Sequence, residues 1–399
     1  MILPVDEIIQ PEIDRLKSSG LYRSLKRIEG PIDTTVSIDG KEVILLSSNN
    51  YLGLANHPEL KEAAAFALKK YGTGACASRL IAGNMEIHEE LEKRIAGFKG
   101  CRSALVFSTG YMANIGLITS LANKGDLILS DELNHASVID GCMLSKAELH
   151  VYPHKDIKGM EDILSKVGPC SAISGYKRTI IVTDGVFSMD GDITPLTGVL
   201  DAAKEYNAIV IVDDAHATGV LGESGKGTAE HFGIKDDRII HMGTFSKALG
   251  SLGGYVAGSK VLVEYLRNTA RSFVYSTALP PSVCAASIAA IEVLEKEPSI
   301  RKRLWRNVSG FKNGLIDLGY DIMESQTQII PILIGDATLT VEFAKALFEK
   351  GVYAPGIRPP TIPEGKSRIR TSLMASHTDE QINMVLDVFK SEGRRLGII

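Results

Sequence analysis

Between about residues 58 and 289 the chain alternates short, uniformly apolar runs with longer stretches of helical periodicity. The apolar runs are residues 103–107, 126–129, 179–182, 208–212, 238–241 and 254–257. Runs this short and this continuously apolar predict strands covered on both faces, hence a mostly parallel sheet with helices on each side. Upstream, residues 5–26 predict a charged helical arm, followed by a short extended piece. Residues 43–46 then predict a strand that runs into the polar turn Ser-Ser-Asn-Asn-Tyr-Leu-Gly at 47–53. The pattern changes after a helix over 281–296. Residues 301–318 and 338–350 predict helices and 329–334 and 367–373 strands, and Thr378 with Gln381 three residues on forms a capping box. The fold class is α/β, divided into an arm (1–52), a large domain (53–290) and a smaller C-terminal α+β domain (291–399).

A chain of 399 residues exceeds the usual size of one hydrophobic core, in keeping with that division. The net charge of −4 gives no electrostatic footprint for nucleic acid or an anionic membrane. No apolar run approaches the ~20 residues of a membrane span. The first seven residues lack the basic-then-apolar order of a signal peptide. Cys76, Cys101, Cys142, Cys170 and Cys284 are scattered and form no C-x-x-C pair, so neither a zinc site nor a disulfide framework is expected. A reducing cytoplasm is the expected compartment.

Candidate chemistry gathers where apolar runs end. Lys247 lies in Gly-Thr-Phe-Ser-Lys-Ala-Leu-Gly (243–250) after one run, where α/β proteins place ligands. Desolvation there would lower its pKa and free the amine to attack a carbonyl; taken alone, a solvent-facing loop lysine fits about equally well. Thr244 and Ser246 offer hydroxyls to an anion. The run 208–212 delivers Asp213, Asp214 and His216. A carboxylate at Asp213 can pair with a protonated pyridine nitrogen and keep such a ring an electron sink, with His216 within reach of its phenolic oxygen. These residues are also potential metal ligands, although a metal site needs more convergent ligands than this cluster guarantees. Asp214 reads better as a turn cap. Ser-Thr-Gly-Tyr (108–111) opens a helix, whose free amides attract phosphate, and His135 could stack on a flat ring. His150, His154 and His231 read as ordinary surface or loop residues.

These segments, in this order, resemble a fold-type I pyridoxal phosphate enzyme, and more narrowly the α-oxoamine synthases, which join an amino acid to an acyl thioester and lose carbon dioxide. Similar stretches at 48–54, 78–83, 184–191 and 275–281 extend the resemblance over nearly the whole chain. It implies pyridoxal 5′-phosphate as cofactor, with Lys247 anchoring it covalently, Asp213 at the pyridine nitrogen, His135 stacked on the ring, and His216 and Ser188 at the ring hydroxyl. Thr109, Gly110, Tyr111, Thr244 and Ser246 would surround the phosphate, with Thr277 reaching in from the other subunit of a homodimer. Arg370 would clamp the substrate carboxylate, helped by Asn49, with Arg23 and Thr361 as further substrate-binding positions. Strand alternation puts Arg368 and Arg370 on one face, so the choice between them rests on the resemblance. Residues 213–220 and 357–363 resemble the branch of the family that joins L-alanine to a pimeloyl thioester, carried by coenzyme A or acyl carrier protein, in biotin biosynthesis. The alternatives are glycine with acetyl-CoA, another acyl-CoA member, and a non-catalytic scaffold subunit. Asn50, where the family commonly has aspartate, and residues 72–77 depart from its pattern.

Overall fold

Two hydroxyls close the N-terminal helix. Helix α1 spans Val5–Ser18, shorter than the 5–26 arm expected from its charges. Ser18 Oγ and Ser19 Oγ both donate to the Arg15 carbonyl, at 3.0 and 2.8 Å, beside the Ser19 amide at 3.0 Å, so side chains crowd the last carbonyls of the helix. No residue of α1 is buried, so no packing extends it. The computed structural model describes residues 4–19, 21–168 and 175–399; Met1, Ile2, Leu3 and Cys170 lie outside the described residues.

Strands β1 (Ile28–Glu29), β2 (Thr35–Ile38) and β3 (Lys41–Leu45) form an antiparallel meander. Helices α2 (Pro58–Tyr71) and α3 (Glu86–Lys99) lead into the large sheet. Its strands are β4 (Ser103–Phe107), β5 (Leu127–Asp131), β6 (Glu148–Tyr152), β7 (Thr179–Asp184), β8 (Ile209–Asp213), β9 (Ile239–Thr244) and β10 (Gly254–Gly258). Their order across the sheet is β4-β10-β9-β8-β7-β5-β6. Only β10 runs against its neighbours; the other six share one direction. Every residue of β5 and β7 is buried, because helices cover both faces. The apolar runs foreshadow each of these strands except β6. That edge strand has only Tyr152 fully buried, so its sequence carries no continuous apolar signal.

The C-terminal part contributes β11 (Ile329–Gly335), β12 (Val352–Tyr353), β13 (Gly356–Ile357) and β14 (Ser367–Ser372). Strands β11, β14 and β13 make a three-stranded antiparallel sheet. The capping box at Thr378 forms, with Thr378 Oγ1 accepting from the Gln381 amide at 3.2 Å. Strand β12 instead pairs in parallel with β3, Val352 opposite Ile44, and the Ser372 amide donates to the Leu46 carbonyl at 2.7 Å. The four-stranded sheet β1-β2-β3-β12 thus draws strands from both ends of the chain, which sequence patterning divides between 1–52 and 291–399. One apolar cluster, including Leu46, Tyr51, Phe245, Ile291, Ile329 and Phe389, spans both parts. Each large aliphatic side chain buried there contributes about 1.5–3 kcal/mol. No helix among the described residues is long and apolar enough to cross a membrane.

Candidate active site

Five of the parallel strands end at one rim, and each delivers polar residues there. Strand β4 leads to Thr109, Gly110 and Tyr111, β5 to His135, β7 to Ser188, β8 to Asp213 and His216, and β9 to Thr244, Ser246 and Lys247. Carboxyl ends of parallel strands are where such folds bind ligands. Thr109 caps helix α4 (Gly110–Leu121), its Oγ1 accepting from the Met112 amide at 3.1 Å. This leaves Gly110 and Tyr111 in a first turn whose amides lack intrahelical acceptors. Thr244 Oγ1 and Ser246 Oγ lie 2.9 Å apart beside that turn. A side chain at Gly254, on β10, would meet the Thr109 carbonyl at 2.6 Å and Gly110 Cα at 2.7 Å, so only glycine lets the sheet back this loop so closely.

Lys247 retains some exposed surface, yet its amine is enclosed by protein and meets His216 Nε2 at 2.7 Å. Loss of water lowers its pKa to about 8, against the opposing pull of Asp213 and Asp184 and with some help from Arg370. No carboxylate among the described residues ion-pairs with it. Burial and the charges of Lys247 and Arg370 hold His216 well below its ordinary value, so it is a neutral imidazole. Asp213 Oδ2 accepts from Asn114 Nδ2 at 2.7 Å and its Oδ1 from the Ala215 amide at 2.8 Å. Those donors are neutral and leave its charge uncompensated. Asp184, opposite Asp213 in register, is pushed well above the usual carboxyl range by burial and then by that neighbouring charge. His135 exposes its ring at the rim, with burial of its surroundings lowering its pKa and Asp213 opposing.

The two arginines of β14 separate cleanly. Arg368 Nη1 pairs with Asp190 at 2.6 Å. Arg370 forms no ion pair among the described residues. It donates from Nε to the Ser188 carbonyl at 2.7 Å and from Nη2 to Asn49 Oδ1 at 3.4 Å. A guanidinium held by neutral groups keeps its charge available for a carboxylate.

An enclosed amine, an uncompensated carboxylate, a helix start with hydroxyls and an unpaired arginine thus share one rim. The profile of the aminotransferase class I and II family matches residues 41–389. The 8-amino-7-oxononanoate synthase of Citrifermentans bemidjiense is 50% identical over 97% of this chain and 98% of its own length. The chain belongs to the pyridoxal phosphate-dependent α-oxoamine synthase family. The 8-amino-7-oxononanoate synthase of Thermoanaerobacter pseudethanolicus is 49% identical over 98% of each chain. A serine palmitoyltransferase from S. paucimobilis, solved with bound pyridoxal phosphate and myriocin, superposes over 100% of both chains with a TM-score of 0.92 and 33% identity.

The rim of this α-oxoamine synthase fits the family's cofactor by its donor set. The amine gives up its proton near pH 8, the Asp213 carboxyl faces the same space with no ion-pair partner among the described residues, and the Asn114 Oδ1 atom is buried without a partner. Sequence reasoning passed over several contributors. Tyr51 is fully buried, its hydroxyl 2.6 Å from His216 Nδ1 and 3.0 Å from Asn49 Oδ1; an aromatic after an apolar run signals core rather than site. Asn114, on the buried face of α4, and Asn134, whose Oδ1 accepts from the Asp184 amide at 2.8 Å, gave no motif. Asp214, expected to cap the next turn, is structural in another way: it accepts from Lys99 at 2.7 Å in a buried ion pair and from Thr228 Oγ1 at 2.6 Å.

Other residues stand apart from the lysine network. Thr277 is exposed, and in its own chain its carbonyl accepts from Ser108 Oγ at 2.9 Å. Arg23 and Thr361 are exposed, and no described contact ties them to Lys247. Tyr111 turns outward and donates to Asp140 at 2.5 Å. His154, expected to be an ordinary loop residue, instead bridges Asp131 and Asp192 at 2.9 and 2.8 Å. Partial burial works against its proton, but the two carboxylates outweigh it and raise its pKa to about 9. Cys76, Cys101, Cys142 and Cys284 are free thiols.

Proposed function

We propose that this chain condenses L-alanine with a pimeloyl thioester and releases carbon dioxide, giving 8-amino-7-oxononanoate for biotin biosynthesis, as a cytoplasmic homodimer. The observation that carries this reading is Lys247: an enclosed amine with no carboxylate partner, on the same rim as an arginine likewise left unpaired. The names of the relatives at 49–50% identity direct it to alanine and the pimeloyl group.

Bound pyridoxal 5′-phosphate supplies an aldehyde that bonds amines and a pyridine ring that takes up negative charge. Asp213 keeps a proton on the ring nitrogen, with Asn114 and the Ala215 amide fixing its two oxygens. His135 offers a ring face for stacking, and His216 and Ser188 serve the ring hydroxyl. The first turn of α4, from Thr109 through Gly110 to Tyr111, holds the phosphate with Thr244 and Ser246, and Thr277 completes that site across the dimer. Arg370 and Asn49 orient the amino acid's carboxylate, while Arg23 and Thr361 belong to the substrate approach. Lys247 Nζ would take the α-proton as general base. The carbon so exposed would attack the thioester with loss of the thiol, and the amino acid's carboxylate would then leave as carbon dioxide, a proton taking its place on the carbon.

The deciding measurement is the mass of the product formed from alanine and pimeloyl-CoA or pimeloyl-acyl carrier protein. It is run beside glycine with acetyl-CoA and serine with palmitoyl-CoA. Turnover confined to either control pair overturns the substrate assignment. A colourless protein whose spectrum borohydride leaves unchanged would mean a scaffold subunit instead.

A further inference from the structure

A single phenolic proton joins the cofactor side of the rim to the carboxylate side. Tyr51 lies between His216 Nδ1 at 2.6 Å and Asn49 Oδ1 at 3.0 Å. His216 Nε2 meets Lys247 Nζ at 2.7 Å, and Asn49 Oδ1 also accepts from Arg370 Nη2 at 3.4 Å. A guanidinium only donates, so the asparagine atom facing both Arg370 and Tyr51 is its oxygen, an acceptor. The tyrosine hydroxyl has one proton to give. Its ring is fully buried.

The directions of the chain follow from these counts. While the lysine ammonium donates to Nε2, the neutral imidazole carries its proton on Nδ1 and donates it to Tyr51 Oη. Tyr51 then donates to Asn49 Oδ1, while the side chains of Arg370 and Gln328 also bear on its hydroxyl oxygen as donors. When Nε2 must instead donate, to a ring oxygen, Nδ1 becomes an acceptor, and Tyr51 holds the one proton able to satisfy it. Asn49 Oδ1 then loses its tyrosine donor and remains with Arg370 alone. We propose that Tyr51 is a positioning residue that sets the tautomer of His216 and, through the same proton, couples cofactor occupancy to the Asn49–Arg370 carboxylate site. This rests on the reading of the rim as a site for pyridoxal phosphate and an amino acid. The titratable and charged groups sharing the space around His216 are Lys247, Arg370 and His135, besides Tyr51 itself.

The test uses Tyr51→Phe, which removes the hydroxyl and keeps the ring, and Asn49→Ala, which removes the tyrosine's other acceptor. The pH midpoint of the bound cofactor's visible absorption should rise by on the order of one unit in Tyr51→Phe, because His216 loses support as a donor to the ring oxygen. It should fall in Asn49→Ala, where Tyr51 is free to serve Nδ1. Shifts of the same sign, or none in Tyr51→Phe, overturn the proposal. Alanine binding to the cofactor-loaded protein, titrated spectroscopically, should stay within about twofold in Tyr51→Phe, because Asn49 Oδ1 has already lost its tyrosine donor there; a loss of about tenfold or more would contradict these proton directions. Should a variant fail to fold, nitrogen-15 NMR of histidine-labelled wild-type protein still decides: His216 should move from Nδ1–H without cofactor to Nε2–H with it, and an unchanged tautomer refutes the idea. A wild-type protein that takes up no pyridoxal phosphate fails the functional reading instead, before any variant is compared.

Discussion

Two consecutive aspartates at the end of β8 face opposite sides of the strand and meet two lysines in opposite ways. Asp214 is fully buried and saturated by Lys99 and Thr228. Burial works to lower the Lys99 amine, but the charge and hydrogen bond of Asp214 outweigh it, and the amine ends above its usual value. Lys247 is given no such partner, and loss of water takes it down to about 8. Enclosure alone therefore does not make a lysine reactive; withholding the carboxylate does. The same division recurs on β14, where Arg368 is neutralised by Asp190 and Arg370 is held by neutral oxygens.

The sharpest way to break this contrast is to remove each lysine. Lys247→Ala should lower turnover by about 10⁴-fold, the upper range for a lost general base, with the unfolding midpoint nearly unchanged. Lys99→Met should leave the buried Asp214 charge with Thr228 but without its counter-ion and cost about 3–5 kcal/mol in denaturant unfolding, with the remaining folded protein still active. Comparable stability losses in both variants would end the distinction. Of the arginines, Arg370→Lys should raise the KM for alanine by roughly tenfold to a hundredfold through loss of the forked donor. Arg368→Met should act on stability instead, by about 2–3 kcal/mol, as read from thermal unfolding beside alanine saturation curves.

Smaller effects come from protons. Capture of pyridoxal phosphate by cofactor-free protein should quicken about tenfold per pH unit and level off above about 8. An ordinary lysine would carry the rise toward 10.5. Because the folded amine releases its proton first, its contribution to stability grows with pH between those two values. His154 has the reverse sign. Its folded pKa is raised to about 9, so its bridge is fully stabilising below about 6.5 and fades as pH rises through 9. His154→Gln should cost about 1 kcal/mol at pH 6 and progressively less toward pH 10, measured by urea unfolding across that range.

What could be read from the chain follows the same logic. Lys247, Asp213, His216 and Thr109 stand just beyond uniformly apolar runs, and that position, in a sheet covered on both faces, marks them before any coordinates exist. Strand β6 escaped notice because only one of its residues is fully buried, and β12 and β13 because two residues carry no period. Tyr51 and Asn114 escaped because their importance lies in what they touch across 165 and 99 positions of chain, and nothing local to either announces such a contact. The choice between Arg368 and Arg370 was invisible for a related reason. Alternation gives them one face, and only the placement of Asp190 across the rim separates them.

The pairing of β12 with β3 sets an order on how the molecule comes into being. As the nascent chain leaves the ribosome, Ile44 waits on the order of three hundred residues for Val352 to close its open edge. Asn49 follows the waiting strand, and Arg370, on β14, emerges shortly after the closing one. A translation product stopped short of that point would possess the amine and the phosphate loop yet have no means of gripping an amino acid, so the grip is the last thing made and the first lost to a premature stop.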